Sequence, residues 1–166
     1  MNKLQTMNEL LAHDIQMLYS AETLGLEAQK LLAESATDSH LKSLFTLHER
    51  ESQKQVARLE KIMVMMDLKP SREVCSAVKG LMADTEKLLN KESAPEVLDA
   101  MLIGAAQKME HYEIACYGTA VWMTEDLGMT QVADLLRQTL AEEKQANELL
   151  NEVAKQRVNP KAEMQA

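Results

Sequence analysis

Five glutamates and a histidine occupy positions that a helical chain normally gives to apolar residues. Glu22 falls in a line of Leu4, Leu11, Ile15, Leu18, Gln29 and Leu32, all at helical spacing. His48, Glu51 and Gln55 interrupt a second line of Leu41, Leu44, Leu59, Ile62 and Met66. Glu113 sits among Leu102, Ala105, Met109, Cys116, Ala120 and Met123, with Glu110 one turn earlier on nearly the same face. Glu143 completes a fourth line of Val132, Leu136, Thr139, Ala146, Leu150 and Val153, and its neighbour Glu142 competes for the same role. Carboxylates turned inward together repel one another and resist leaving water, so the arrangement requires a compensating positive charge.

Taken singly, a glutamate on an apolar seam has ordinary explanations: it snorkels to water, pairs with a lysine or fills a solvated gap. Carboxylates near the middle of four separate lines, with no lysine or arginine on the lines traced, point instead to metal. Two divalent cations would offset roughly four carboxylate charges, and helical bundles take such ligands from all of their long helices. A ligand set dominated by hard oxygen suits iron or manganese better than copper or zinc.

Holding those side chains in one place demands long helices, and the chain breakers are placed to allow them. Breaks fall at residues 35–39, at Lys69-Pro70-Ser71, at Ser93-Ala94-Pro95, at Gly128 and at Asn159-Pro160. They predict helices over about residues 4–34, 40–66 and 72–91, the third being a short connector. A fourth starts with Ser93 as N-cap and Pro95 in its first turn and runs to about residue 127, where Gly128 takes the left-handed position. The fifth covers about residues 131–158 after Thr130 as cap. The expectation is an all-α domain over residues 1–158: two helical hairpins forming a four-helix bundle, a short fifth helix in the crossover between the second and third long ones, and a polar tail at 159–166.

Composition agrees and excludes other classes. With 46% apolar residues, only five Gly and three Pro, and few aromatics, β architecture and disorder are disfavoured. A net charge of −8, with 18 basic residues interleaved among 26 acidic ones, argues against a nucleic-acid partner. No apolar run reaches membrane-spanning length, and the first residues do not read as a signal peptide, so a cytoplasmic chain without a membrane partner is expected. Cys75 and Cys116 are too few for a disulfide framework or a thiolate zinc site. The 12 methionines fall largely at core spacing and read as flexible filling. Tyr19, Tyr112 and Tyr117 read as packing residues or hydrogen-bond donors.

The segments Tyr19-Ser20-Ala21-Glu22, His48 followed by Glu51, Lys108-Met109-Glu110-His111-Tyr112-Glu113-Ile114-Ala115, and Glu142-Glu143-Lys144 resemble the YciE/YciF-like bacterial stress proteins over nearly the whole chain. That resemblance implies a ferritin-like bundle, a homodimer, and a di-iron or di-manganese centre with peroxide, oxygen or ferrous iron as small substrates. It assigns Glu22 and Glu51 as ligands from the first two helices, Glu110 and Glu113 as the paired glutamates seen in rubrerythrin-type helices, and Glu143 as the last ligand. The sequence departs from the usual Glu-x-x-His pattern, because Lys54 follows Glu51 and Ala146 follows Glu143 at the histidine positions. His48, one turn before Glu51, either replaces a missing nitrogen ligand or, with Gln55, hydrogen-bonds the ligands. His111 lies about a third of a turn from Glu110 and reads as a supporting or surface residue. Competing readings are a structural or interaction dimer with a degenerate site, and a mini-ferritin that stores iron in a shell.

Overall fold

The computed structural model describes residues 4–164, and no strand occurs among them. Thr6 caps α1 (Met7–Ser35): its hydroxyl accepts from the Glu9 amide at 3.2 Å, and the Glu9 carboxylate accepts from the Thr6 amide at 2.9 Å. Such a reciprocal cap is worth about 1 kcal/mol. It starts the helix after residue 4 and leaves Leu4 49% exposed, off the expected core line. Asp38 caps α2 (Ser39–Met65), accepting from the His40 and Leu41 amides at 2.9 and 3.2 Å.

The connector, α3 (Ser76–Leu89), is shorter than its predicted span because the chain from 66 to 75 is irregular, with Asp67 at φ 52°. Cys75 closes that stretch by donating its amide to Ser20 Oγ at 2.9 Å, which pins the crossover to α1. In α4 (Pro95–Asp126), Pro95 lies in the first turn as expected, but Ala94 takes the cap position and Ser93 stays outside it. Gly128, at φ 69°, ends the hairpin turn. Met129, not Thr130, then precedes α5 (Thr130–Val153).

The predicted tail is mostly helical. One wide π turn, Ala154–Val158, follows α5 and leads into α6 (Asn159–Glu163). Pro160 falls in the first turn of α6, directly after the π turn, and the chain stays helical through it. Val158 is 1% exposed, and Lys161 Nζ lies 2.8 Å from Asp38 Oδ2, so this segment closes one end of the domain. Residues 165–166 of the predicted tail lie outside the described residues.

Hairpin α1/α2 packs against hairpin α4/α5, with α1 beside α4, α2 beside α5, and α3 lying across α1 and α4. The four long helices therefore close a ring around one interior. That interior is layered. Leu11, Ile15, Leu59, Ile62, Tyr117 and Leu136 fill one end, and Leu32, Leu41, Phe45, Leu102, Leu150 and Val153 fill the other. Burying each large aliphatic side chain stabilises by about 1.5–3 kcal/mol. Between the two apolar layers lies a polar one. Among the described residues, no helix is long and apolar enough to cross a membrane.

Candidate metal centre

All four long helices send polar side chains into the middle layer. Glu22 from α1 is 1% exposed, Glu110 and Glu113 from α4 are buried, and Glu143 from α5 is wholly so. His48, Ser52 and Gln55 enter from α2. His48, Glu110, Glu113 and Glu143 each offer one ligand atom, and those four atoms lie within 4.8 Å of one another. His48 Nε2 is 3.3 Å from Glu110 Oε1 and 3.6 Å from Glu143 Oε2.

The neighbours orient this group. Tyr117 donates its hydroxyl to Glu22 Oε1 at 2.6 Å. The Gln55 side-chain amide donates to Glu143 Oε1 and, at 3.2 Å, to Glu142 Oε2. Arg58 binds Glu142 through both terminal nitrogens, each at 2.9 Å, and donates to Thr139. Of the two neighbours on α5, Glu143 turns inward, while Glu142 pairs with arginine.

Electrostatics describe a centre that resists its own charge. Burial pushes Glu113 and Glu143 well above the ordinary carboxyl range, and neighbouring carboxylates add to the effect. Burial likewise raises Glu22, to about 7, although the Tyr117 hydroxyl partly offsets it. For Glu110, burial is outweighed by the His48 charge, and its carboxyl falls below the usual range. His48 responds in kind: burial works against its proton, but Glu110, Glu51 and Glu143 hold it well above the ordinary imidazole value. Without metal, burial therefore favours a proton on Glu113 and Glu143, while the neighbouring carboxylates favour one on His48 beside a charged Glu110.

Donor chemistry fits a divalent metal. Both Glu110 oxygens, Glu143 Oε2, His48 Nδ1 and the side-chain oxygens of Gln29 and Gln55 are buried without a hydrogen-bond partner. Leaving such groups unpaired costs about 1–3 kcal/mol each, more for charged ones, unless something else satisfies them. A hard cation ligated by carboxylate oxygens and one imidazole does so.

Of the residues expected from sequence, Glu22, Glu110, Glu113, Glu143, His48 and Gln55 meet in this layer. Glu51 stands at its edge: its side chain is 34% exposed, with Oε2 3.6 Å from His48 Nδ1. His111 is exposed and apart. No basic residue lies on the lines traced from sequence, but Arg58 reaches the layer from beside one of them, its side chain only 9% exposed. Its signal was present, since Arg58 follows Gln55 by three residues and so shares its face. Tyr117 could have been found in the same way, one turn beyond Glu113.

A family model described as a domain of unknown function, DUF892, matches residues 6–163. The chain belongs to the DUF892 family. It is 37% identical to protein YciF of Escherichia coli over 164 residues, covering 98% of this chain and 99% of that protein. The crystal structure of that E. coli stress protein superposes with a TM-score of 0.90 over 94% of this chain and 99% of the other. YcfI of Rhodopseudomonas palustris is 37% identical, with a TM-score of 0.87 over 90% of this chain and 96% of its own. A ferritin-like, diiron-carboxylate protein of Bacillus anthracis, at 14% identity, has a TM-score of 0.71 over 90% of this chain and 99% of that one. The expected kinship with YciF and the all-α, ferritin-like fold are both borne out.

Proposed function

We propose that this DUF892 chain is a ferritin-like metal protein of stress defence, holding two iron or manganese ions and acting on peroxide or ferrous iron. The observation that carries the proposal is the His48–Glu110–Glu113–Glu143 group, whose ligand atoms lie within 4.8 Å and several of whose carboxylate oxygens have no partner in the chain. Glu22 and Glu51 flank that group from α1 and α2 and complete the ligand set in this reading. Bound there, iron or manganese supplies redox chemistry and a positive charge.

The chain's own part is positioning and proton control. Tyr117 fixes Glu22, Gln55 fixes Glu143, and Arg58 keeps Glu142 out of the way. Protons on Glu113, Glu143 and His48 leave as ligands form, so binding is coupled to pH. The apolar layers at both ends keep bulk water from the middle one. Support for a role in stress defence comes from the relationship to YciF, itself described as a stress protein.

Elemental analysis of protein purified without chelator tests the proposal. About two iron or manganese ions per chain are expected, as in bundles of this kind, with loss in Glu110→Ala and Glu113→Ala variants that keep their helical content. One observation favours a second reading: Arg58 and His48 already bring two positive charges to the layer. No metal after anaerobic reconstitution would leave those charges as the compensation and make the chain a structural or interaction protein.

A further inference from the structure

Both cysteines of the chain are free, and they converge on one phenol outside the polar layer. Cys75 is 3% exposed and sits where the irregular stretch 66–75 meets α3; its Sγ lies 3.0 Å from the Tyr112 hydroxyl. Cys116, half-buried and one turn beyond Tyr112 on α4, reaches the same hydroxyl. Two sulfurs that share one hydroxyl are no more than about two hydrogen-bond lengths apart. Side-chain rotation and a small backbone shift bring such a pair to bonding distance. The Cys75 side can supply the shift, because residues 66–75 have no helical ladder to hold them. The hydroxyl has somewhere to go, because Tyr112 lines an open cleft of about 430 Å³ together with Met17, Glu73 and Val74.

We propose that Cys75 and Cys116 are a redox-active dithiol that small disulfides oxidise to an intramolecular disulfide, with Tyr112 standing between the sulfurs as a latch. The half-buried Cys116 takes the first step. Its sulfur attacks one sulfur of the small disulfide, which breaks that S–S bond, forms a mixed disulfide and releases one thiol. Cys75 then attacks the Cys116 sulfur and releases the second thiol. The chain loses two electrons and two protons, the small disulfide gains both, and no metal takes part. Burial pushes the Cys116 thiol up, so exchange is slow and the pair closes under sustained oxidation, not on brief exposure. The new bond ties the crossover to α4 within one turn of Glu113, in place of the hydrogen bond that ties it when reduced.

Full-length, reduced, metal-free protein incubated with oxidised glutathione tests this. Alkylation under denaturing conditions should find both thiols free at the start and neither free at the end. Intact mass should fall by about 2 Da, the two hydrogens lost in forming one disulfide. Proteolysis should yield a fragment joining Cys75 to Cys116, and dithiothreitol should reverse all three changes. Tyr112→Phe keeps the ring and removes the latch, so closure should quicken about fivefold, the scale of one hydrogen bond. Cys75→Ser should instead accumulate the mixed disulfide on Cys116. Both substitutions are close in size to the residues they replace, and the parent's own cross-link needs neither of them. Glutathione left on both cysteines, two thiols still free after prolonged exposure, disulfides only between chains, or a closure rate unmoved in Tyr112→Phe would each overturn the proposal. A chain that closes this disulfide yet binds no metal after anaerobic reconstitution would sink the function proposed above and leave the dithiol standing.

Discussion

Two acidic centres are buried in this bundle, and they are satisfied in opposite ways. At the end closed by α6, Asp38 accepts from the His40 and Leu41 amides, from Arg157 Nε at 2.7 and 2.8 Å, and from Lys161 at 2.8 Å. Asp99 beside it accepts from the Thr37 amide and hydroxyl, both at 2.7 Å, and from the Asp38 amide at 2.8 Å. Each of their carboxylate oxygens has a donor within the chain. In the middle layer, neither oxygen of Glu110 accepts a well-formed hydrogen bond, and its charged neighbour is His48, with Nε2 3.3 Å from Oε1. A buried carboxylate that the chain itself satisfies is a structural tie joining the α1/α2 turn to α4 and α6. One left without a hydrogen bond, among three other carboxylates, carries charge that a single histidine only partly offsets, and in the function proposed above the rest comes from bound metal.

The largest effect should therefore come from metal in the middle layer. Manganese or ferrous iron at about a hundredfold excess over Kd stabilises by about 2.7 kcal/mol, roughly 5–10 °C in Tm for a chain of this size. Calorimetry with and without chelator measures it. Glu113→Gln should abolish the shift while leaving the metal-free protein no less stable, because Gln mimics the protonated carboxyl that burial favours. The same protons set the pH dependence: metal must displace them from Glu113 and Glu143, so apparent affinity should be tighter at pH 8 than at pH 6. A Tm indifferent to both metals would erase the contrast and make the middle layer a second structural tie.

A smaller effect, of opposite character, is expected at the end. Asp38→Ala removes a helix cap and the partner of two half-exposed cations, a loss of about 1–3 kcal/mol, and should leave the metal-induced shift intact. The sign with pH also differs. Burial alone would raise the Asp38 carboxyl, but Lys161, Arg157 and the two amides hold it far below its ordinary range. A folded-state value below the unfolded one, about 3.9, contributes stability that is complete above that value and disappears as pH falls through the folded one. Urea unfolding from pH 6 to pH 2 should show an acid loss in the parent that Asp38→Asn lacks. Equal acid sensitivity in the two proteins would show that the clamp is not what acid breaks.

How far the two centres could be read from sequence follows from what each is made of. The middle layer is written in helical periodicity, and the α5 line around Glu143 is buried along its whole length. Periodicity fixes a face but leaves the rotation of that face loose by one residue. On α2 the buried line runs through His48, Ser52, Gln55, Leu59 and Ile62, which turns Glu51 toward the edge. On α4 it takes Tyr117 where Cys116 had been expected. Arg58 escaped because a long stem lets a residue beside a core line send its charge inward. The end clamp was illegible: Asp38, Asp99 and the Arg157/Lys161 pair are distant in sequence, and that pair shares one helix face only because the chain continues helically through Pro160.

The smallest predicted effect probes how closely α1 approaches the unsatisfied glutamates. Gly25 lies one turn beyond Glu22, and a Cβ built there would stand 3.6 Å from Glu113 Oε1 and 4.0 Å from Met109 Cε, ordinary contact distances. The helix needs no glycine at this point, since the position has no positive φ. Gly25→Ala should therefore recover about 0.5–1 kcal/mol of helix propensity, a Tm rise of roughly 1–4 °C. Metal content should be unchanged, because a methyl group at van der Waals distance neither displaces Glu113 nor occupies the space between the ligands. A stabilised variant that has lost its metal would mean that Glu113 must swing toward α1 when it binds. The middle layer would then differ from the end clamp in mobility as well as in unmet charge.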